Sequence, residues 1–336
     1  MNHTTTPRTI ASLCTGYGGL ELGLNAALGT TELLWCADAD PYVDTVLQHR
    51  FPTVRNIGDI TRADYAALPR PHILTAGFPC QDISTSGRRL GIQEGTRSGI
   101  WSHVVEATRV LGPQQLFVEN VSALRHRNGG LGRVLGDLAN IGYDAHWLCL
   151  RAADLGAPHS RERLFLLAHP RTATPVPHPP STGRRTGRDR SRETTTCRTP
   201  GQHHRRRHPM AGHSAASPRE RKYQHACGRS ERTGLRRHHP STPSNLWGDY
   251  AWAIARWEQV LGRPAPWPTR VGQRGGARPS PRWVEWLMGL PAGWVTDCPV
   301  PAPQQLQILG NGVIPLQAEV AFRRLRSRVE RMAARS

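Results

Sequence analysis

Residues 8–19 read Arg-Thr-Ile-Ala-Ser-Leu-Cys-Thr-Gly-Tyr-Gly-Gly, and this stretch decides the fold. Arg8–Cys14 is a short apolar run of the kind a buried strand shows, and it ends in a turn with three glycines. Leu20, Leu22, Leu24, Ala27 and Leu28 follow at positions that a helix would bury. Strand, glycine turn and helix make the opening of a βαβ unit. The same alternation repeats outward from there. Glu32–Ala37 predicts a second strand, and Asp38, Asp40 and Pro41 lead into a helix, since proline suits the first helical position. His72–Ala76 predicts a third strand, running into Gly77-Phe78-Pro79-Cys80. Ser98–Leu111 predicts a helix, and Gln115–Glu119 a strand that ends at Asn120. His146–Leu150 and Arg163–Ala168 complete the pattern. The expectation is an α/β fold with a parallel sheet, helices on both faces, and ligands at the carboxyl ends of the strands.

The chain has 336 residues, with 44 Lys and Arg against 25 Asp and Glu, a net charge of +19. That length suits two domains of about 150 residues each. Composition excludes collagen-like, disulfide-scaffold and coiled-coil classes. No apolar run approaches the ~18 residues of a membrane span, and the N-terminus lacks a secretory signal's apolar stretch. The seven cysteines are odd in number, widely spaced and without a CxxC pair. Reduced thiols in a cytoplasm are expected, with neither a disulfide framework nor a metal site.

The charge is concentrated. Residues 170–243 hold 16 Arg and Lys222 against Asp189, Glu193, Glu220 and Glu231, a net of +13, which leaves +6 for the rest. Alanine apart, the only aliphatic residues there are Val176, Met210 and Leu235. So little apolar surface does not offset the entropy of ordering, and a disordered basic insert is expected. It reads either as a polyanion-binding segment, which would release counterions from phosphates, or as an inert linker. His203, His204, His208 and Cys197 match no standard zinc spacing, so no metal is expected.

Three features carry chemistry. Gly16, Gly18 and Gly19 allow a ligand to approach the backbone closely, although a purely structural turn reads the same way. A dinucleotide fingerprint needs a third glycine where Glu21 stands, which counts against NAD. Asp38, at the end of the second strand, is placed for ribose hydroxyls, so a nucleoside without a pyrophosphate, such as S-adenosylmethionine, satisfies both facts. Cys80 follows Pro79 in a polar loop near Arg88, Arg89 and Arg97, which would favour a thiolate. The residues alone leave it open between nucleophile and inert loop thiol. Cys14, Cys36 and Cys149 sit within apolar runs and read as core fillers.

Further along, Glu119-Asn120-Val121 ends a strand, Arg161-Glu162-Arg163 precedes the last one, and Leu309–Pro315 reads LGNGVIP. With TGYGG and GFPCQ, in this order, the chain resembles the DNA (cytosine-5)-methyltransferase family over residues 9–168 and about 278–322. SPRWVEWLMGLPAGW (280–294) also looks like the stretch before that family's C-terminal motif. The resemblance implies a Rossmann-like S-adenosylmethionine methyltransferase sheet plus a smaller, variable target-recognition region. It divides the chain into a catalytic and cofactor-binding domain (1–169), the basic insert (170–243), a recognition region and hinge (244–300), and a segment returning to the catalytic domain (301–336).

The resemblance assigns Cys80 as the nucleophile, Glu119 as the acid at the cytosine N3, and Arg163 with Arg161 as ligands of the cytosine O2 and phosphate side. It places S-adenosylmethionine against Gly16, Tyr17, Gly18, Gly19, Asp38, Asp59, Ile60, Pro79 and Asn311. Gln81, Ser84, Ser86, Arg88 and Arg97 fall in the loop expected to close over DNA. Ser12, Cys14 and His159 replace the family's usual acid, aromatic and glutamine, and none of the three is a proposed reacting group. The implied partner is double-stranded DNA, met by a cytoplasmic, nucleoid-associated monomer with no membrane contact. A cognate restriction endonuclease is a candidate second partner. Methylation of cytosine in transfer RNA, and a basic DNA-binding relic without activity, are the rival functions. The basic insert is expected to supply affinity, and residues 245–300 specificity. Trp252, Ala255, Trp257 and Val260 either read DNA or form a small core.

Overall fold

The computed structural model describes residues 7–78, 99–126, 129–171, 246–272 and 275–334. Residues 1–173 and 244–336 belong to one compact unit; the basic insert lies outside the described residues.

A seven-stranded sheet organises this unit. Its strands are β1 (Arg8–Leu13), β2 (Thr31–Ala37), β3 (Arg55–Asn56), β4 (Ile73–Ala76), β5 (Gln115–Val121), β6 (Tyr143–Arg151) and β7 (Glu162–Pro170), in the spatial order β3-β2-β1-β4-β5-β7-β6. The first five pair in parallel. β7 runs antiparallel to both neighbours, so the expectation of a wholly parallel sheet is corrected at this edge. The reason is chain length. Only residues 152–161 join β6 to β7, too few for the crossover of a dozen or more residues that a parallel return needs.

Alternation along the strands sorts side chains to two faces. Ile10, Ile73, Phe117, Phe165 and Leu167 pack against α1 (Gly19–Leu28) and a long C-terminal helix. Ala11, Leu74, Leu116, Val118, Leu164 and Leu166 pack on the opposite side against α3 (Ile100–Leu111) and α4 (Leu131–Asn140). With both faces covered, β4 and residues 116–120 of β5 are buried throughout. Between β2 and β3 lies α2 (Pro41–Arg50). The Asp40 carboxylate caps it, accepting from the Tyr42 and Val43 amides at 2.8 and 3.3 Å, with Pro41 in its first turn.

After the insert come α5 (Ala251–Leu261), the exposed two-stranded ribbon β8 (Thr269–Val271) and β9 (Ala277–Pro279), α6 (Pro281–Leu287), α7 (Ala302–Asn311) and α8 (Pro315–Ala333). Along α8, Ala318, Ala321, Phe322 and Leu325 form one buried stripe, which lies on α1 and the sheet. α5 divides the four residues singled out in the sequence. Trp257 is fully buried and donates its indole N–H to the Trp286 carbonyl at 3.0 Å. Trp252, Ala255 and Val260 are exposed. A second core joins α2 and Tyr17 to Ile254, Trp257, Trp286, Val295 and Leu309, so the residues after the insert rest on the glycine loop. No helix among the described residues is long and apolar enough to cross a membrane.

Candidate active site

A cavity of about 300 Å³ opens at the carboxyl ends of β1, β2, β4 and β5. It stands where the strand order reverses between β1 and β4, the usual ligand position in an open α/β sheet. Gly16, Asp38, Asp59, Ile60, Glu119 and Asn311 line it. Six residues scattered over 296 positions of sequence thus meet in one space.

Asp38 is fixed from two sides. Its carboxylate accepts the Gly16 amide at 2.9 Å and the Asp40 amide at 3.1 Å. Burial pushes this carboxyl up, and the two amides pull it back. Its own backbone is clasped by the Asn56 side chain, which accepts from the Asp38 N–H and donates to the Asp38 carbonyl. Asp59 caps the 3₁₀ turn at Ile60–Arg62 by accepting the Thr61 amide at 2.9 Å, and that bond holds its carboxyl below the usual range. Ile60 offers an apolar wall beside it.

The glycine loop divides its work. Gly16 has φ +57° and open space where a Cβ would stand, so it faces the cavity. A Cβ on Gly18 would meet the Phe51 ring at 2.9 Å, and one on Gly19 would overlap the Val313 carbonyl. These two glycines, and Tyr17, are not among the residues that line the cavity; Gly18 makes room for the Phe51 ring, while Gly19 and Tyr17 seat the segment 310–313. Tyr17 is fully buried and donates its hydroxyl to the Val313 carbonyl at 2.8 Å. The Trp294 indole in turn donates to the Tyr17 carbonyl at 2.8 Å. Glu285, also buried, accepts from the amides of Gly293, Val295 and Thr296 and from the Thr296 hydroxyl, which fixes the loop that carries Trp294.

At the far wall Glu119 pairs with Arg163, Nε to Oε1, at 3.0 Å, with both side chains largely buried. Burial raises the Glu119 carboxyl, while Arg163 and Arg161 oppose the rise. Arg161 donates to the carbonyls of Gly310 and Gly312, and so grips the segment that contributes Asn311. Asn120 donates to the Phe78 carbonyl at 3.0 Å, which fixes the backbone just ahead of Pro79 and Cys80. Cys80 itself, with Pro79, Gln81, Ser84, Ser86, Arg88 and Arg97, lies outside the described residues, as do Cys197, His203, His204 and His208.

Sequence reasoning left Asn120 without a role, although its place next to Glu119 at a strand end was a signal. It also read Cys14 as a core filler. Cys14 packs on the core from one side but lines the cavity from the other, with φ +52°. Burial, with Asp38 and Asp59 nearby, pushes its thiol up to about 12, so it stays protonated and inert. Cys36 is buried, as expected, and Cys149 is half-buried.

The chemistry of this donor set suits a nucleoside that carries positive charge. Asp38 is a positioned acceptor for hydroxyls, Ile60 and Leu20 give apolar contact, and the carboxyls of Asp38 and Asp59 favour a cation. Among the described residues no group of three or more His, Cys, Asp or Glu is arranged to hold a metal ion.

The family described as C-5 cytosine-specific DNA methylase matches residues 8–327. The type II methyltransferase M.NlaX of Neisseria lactamica is 32% identical over 160 residues, covering 47% of this chain and 51% of the relative. M.HhaI of Haemophilus parahaemolyticus is 32% identical over 157 residues, covering 46% and 47%. The matched part thus spans about half the length of these curated relatives. Among solved structures, the Dnmt2 methyltransferase of S. pombe superposes with a TM-score of 0.56 at 14% identity, covering 96% of this chain and 99% of that one. The Entamoeba histolytica methyltransferase EhMeth gives 0.53 at 14%, covering 94% and 96%. At such identities these two likenesses speak to the fold.

Proposed function

Because the chain belongs to the C-5 cytosine-specific DNA methylase family, we propose that it methylates C5 of cytosine in double-stranded DNA, with S-adenosylmethionine as the donor. The observation that carries this reading is that Glu119, paired to Arg163, lines the same cavity as Asp38 and Gly16. An acid for the base and a cradle for a nucleoside therefore share one space.

Asp38 would hold the ribose hydroxyls, Asp59 and Ile60 the adenine, and Gly16 and Asn311 the walls between them. When bound, S-adenosylmethionine supplies an electrophilic methyl group. The target base must leave the helical stack to reach the site. The Cys80 thiolate adds to C6, and the C5–C6 π electrons become an enamine nucleophilic at C5, while the Glu119 carboxyl gives a proton to N3. The upward push of burial on Glu119 keeps such a proton available. Arg163 orients that carboxyl and presents guanidinium donors toward the base's O2. Once C5 is methylated, loss of its proton to solvent and expulsion of the thiolate restore the C5–C6 double bond, and N3 returns its proton to the Glu119 carboxylate.

The insert, with its net +13, supplies salt-sensitive affinity for the phosphates. The protein acts as a monomer on DNA in the cytoplasm, with a cognate restriction endonuclease as a candidate partner. A duplex carrying 5-fluorocytosine tests the chemistry, since fluorine at C5 blocks the last elimination. A complex that survives denaturation and is lost in Cys80→Ala is expected in the presence of the methyl donor. No trapped complex with duplex DNA, or trapping on transfer RNA alone, would reject the reading.

A further inference from the structure

The ribbon β8–β9 is exposed along its whole length and on both faces. Two strands alone are marginal in water, so a ribbon left uncovered in this way has use for a partner. Its register sets Arg270 directly opposite Arg278. Like charges facing each other across an antiparallel pair are destabilising. Among the described residues no carboxylate pairs with either arginine to relieve the repulsion.

The arrangement is nonetheless built firmly. The Gly272 amide donates to the Gly276 carbonyl at 2.8 Å, and the Ser280 amide donates to the Pro268 carbonyl at 3.0 Å, closing the ribbon at both ends. A Cβ on Gly272 would meet Arg278 Cγ at 2.8 Å, so glycine there lets the arginine stem lie across the backbone. Period-two alternation puts Arg270 and Arg278 on one face and Thr269, Val271, Ala277 and Pro279 on the other. Ser280 is also the cap of α6, and α6 carries Glu285, which fixes the loop whose Trp294 holds the Tyr17 carbonyl. The ribbon therefore runs into a helix whose Glu285 ties it, through the Trp294 loop, to the backbone of the glycine loop.

We propose that the arginine face of β8–β9 enters the DNA major groove and that Arg270 and Arg278 read guanine there. This rests on the function proposed above and names a specificity element within it. A two-stranded ribbon fits the width of the major groove. Guanidinium forks bond bidentately to the guanine O6 and N7, an acceptor pair that offsets the repulsion between the two arginines.

The test uses the purified full chain on a library of duplexes with randomised sequence around cytosine, read by bisulfite sequencing. The same library is also selected by binding alone, so that a protein without transferase activity still reports on the ribbon. The wild type is expected to prefer guanine at one or two fixed positions. Arg270→Ala with Arg278→Ala should lose about tenfold or more of that preference. Arg270→Lys with Arg278→Lys keeps the charge but not the fork. That variant should relax the preference while its affinity for random duplex stays within about threefold. Melting with S-adenosylhomocysteine confirms that each variant is folded. An unchanged preference in the lysine pair overturns the proposal, as does a uniform loss of affinity with the preference intact, which would make the arginines phosphate anchors. A wild type that selects a guanine context by binding yet methylates nothing rejects the function and leaves the ribbon standing.

Discussion

Arg161 donates both terminal nitrogens to the Gly310 carbonyl, each at 3.1 Å, and reaches the Gly312 carbonyl as well. The Arg161 carbonyl, in turn, accepts from the buried Gln317 side chain at 3.0 Å. One residue thus ties the approach to β7 to the segment that lines the cavity, and its terminal nitrogens serve protein carbonyls while its buried Nε has no partner among the described residues. Arg161 in this way holds the 310–313 segment, while Arg163 is the guanidinium paired with Glu119. Charge-assisted bonds of this type contribute about 1.5–3 kcal/mol each. Arg161→Ala should therefore weaken S-adenosylhomocysteine binding by roughly tenfold or more, measured by titration calorimetry without DNA. Binding at the wild-type level would show that the 310–313 segment does not depend on Arg161.

Glu119 makes the contrasting case, because the proposed chemistry uses its proton and not its packing. Glu119→Gln keeps an acceptor for Arg163 at nearly the same volume but has no acidic proton for N3. General acid catalysis contributes about 10²–10⁴-fold, so single-turnover methyl transfer should fall by that order. Affinity for S-adenosylhomocysteine should stay within a few-fold. An equal loss of both would make Glu119 a structural residue.

Six of the seven strands were legible in residues 8–168, because each holds a short apolar run punctuated by glycine, proline or a carboxylate; β3, only Arg55 and Asn56, has no such run and was not expected. Asp38, Asp59, Ile60 and Asn311 were legible through motif positions, and all four line the cavity. The antiparallel course of β7 was hidden, since Arg163–Ala168 has the same apolar pattern whichever way it runs. The second duty of the glycine loop was hidden too. That Gly19 faces Val313 depends on a contact nearly 300 residues away, which local pattern does not report. α8 escaped notice because Ala318, Ala321, Phe322 and Leu325 form a sparse stripe among arginines.

Two neighbouring glycines provide a test with opposite signs. A Cβ on Gly312 would fall within the Tyr17 ring, whereas one on Gly310, inside α7, would meet nothing within 4 Å. Overpacking of a tight site costs about 1–3 kcal/mol or more, and a helical glycine replaced by alanine gains about 0.5–1 kcal/mol. Gly312→Ala should lower the urea midpoint and weaken S-adenosylhomocysteine binding. Gly310→Ala should raise the midpoint slightly and leave binding unchanged. Equal effects from the two would mean that Tyr17 does not hold its place against Gly312.

Glu21 lies buried beneath the glycine loop, its Oε1 accepting the Thr75 hydroxyl at 2.6 Å and its Oε2 without a partner. Burial raises this carboxyl, and hydrogen bonds from Thr75 and Ser12 only partly oppose the rise. A carboxyl raised on folding contributes its full stability below the unfolded value of about 4.3, and loses it as pH climbs through the folded value. Glutamine at this position has no such proton to lose. The other raised carboxyls, Asp38 and Glu119, are present in both proteins and cancel in the comparison. Glu21→Gln should therefore gain stability relative to the wild type as pH increases from about 5 to about 9, followed as the difference in urea midpoints. A difference that stays constant across that range would show Glu21 to be ionised in the folded protein throughout, with the loop above it held by some other group.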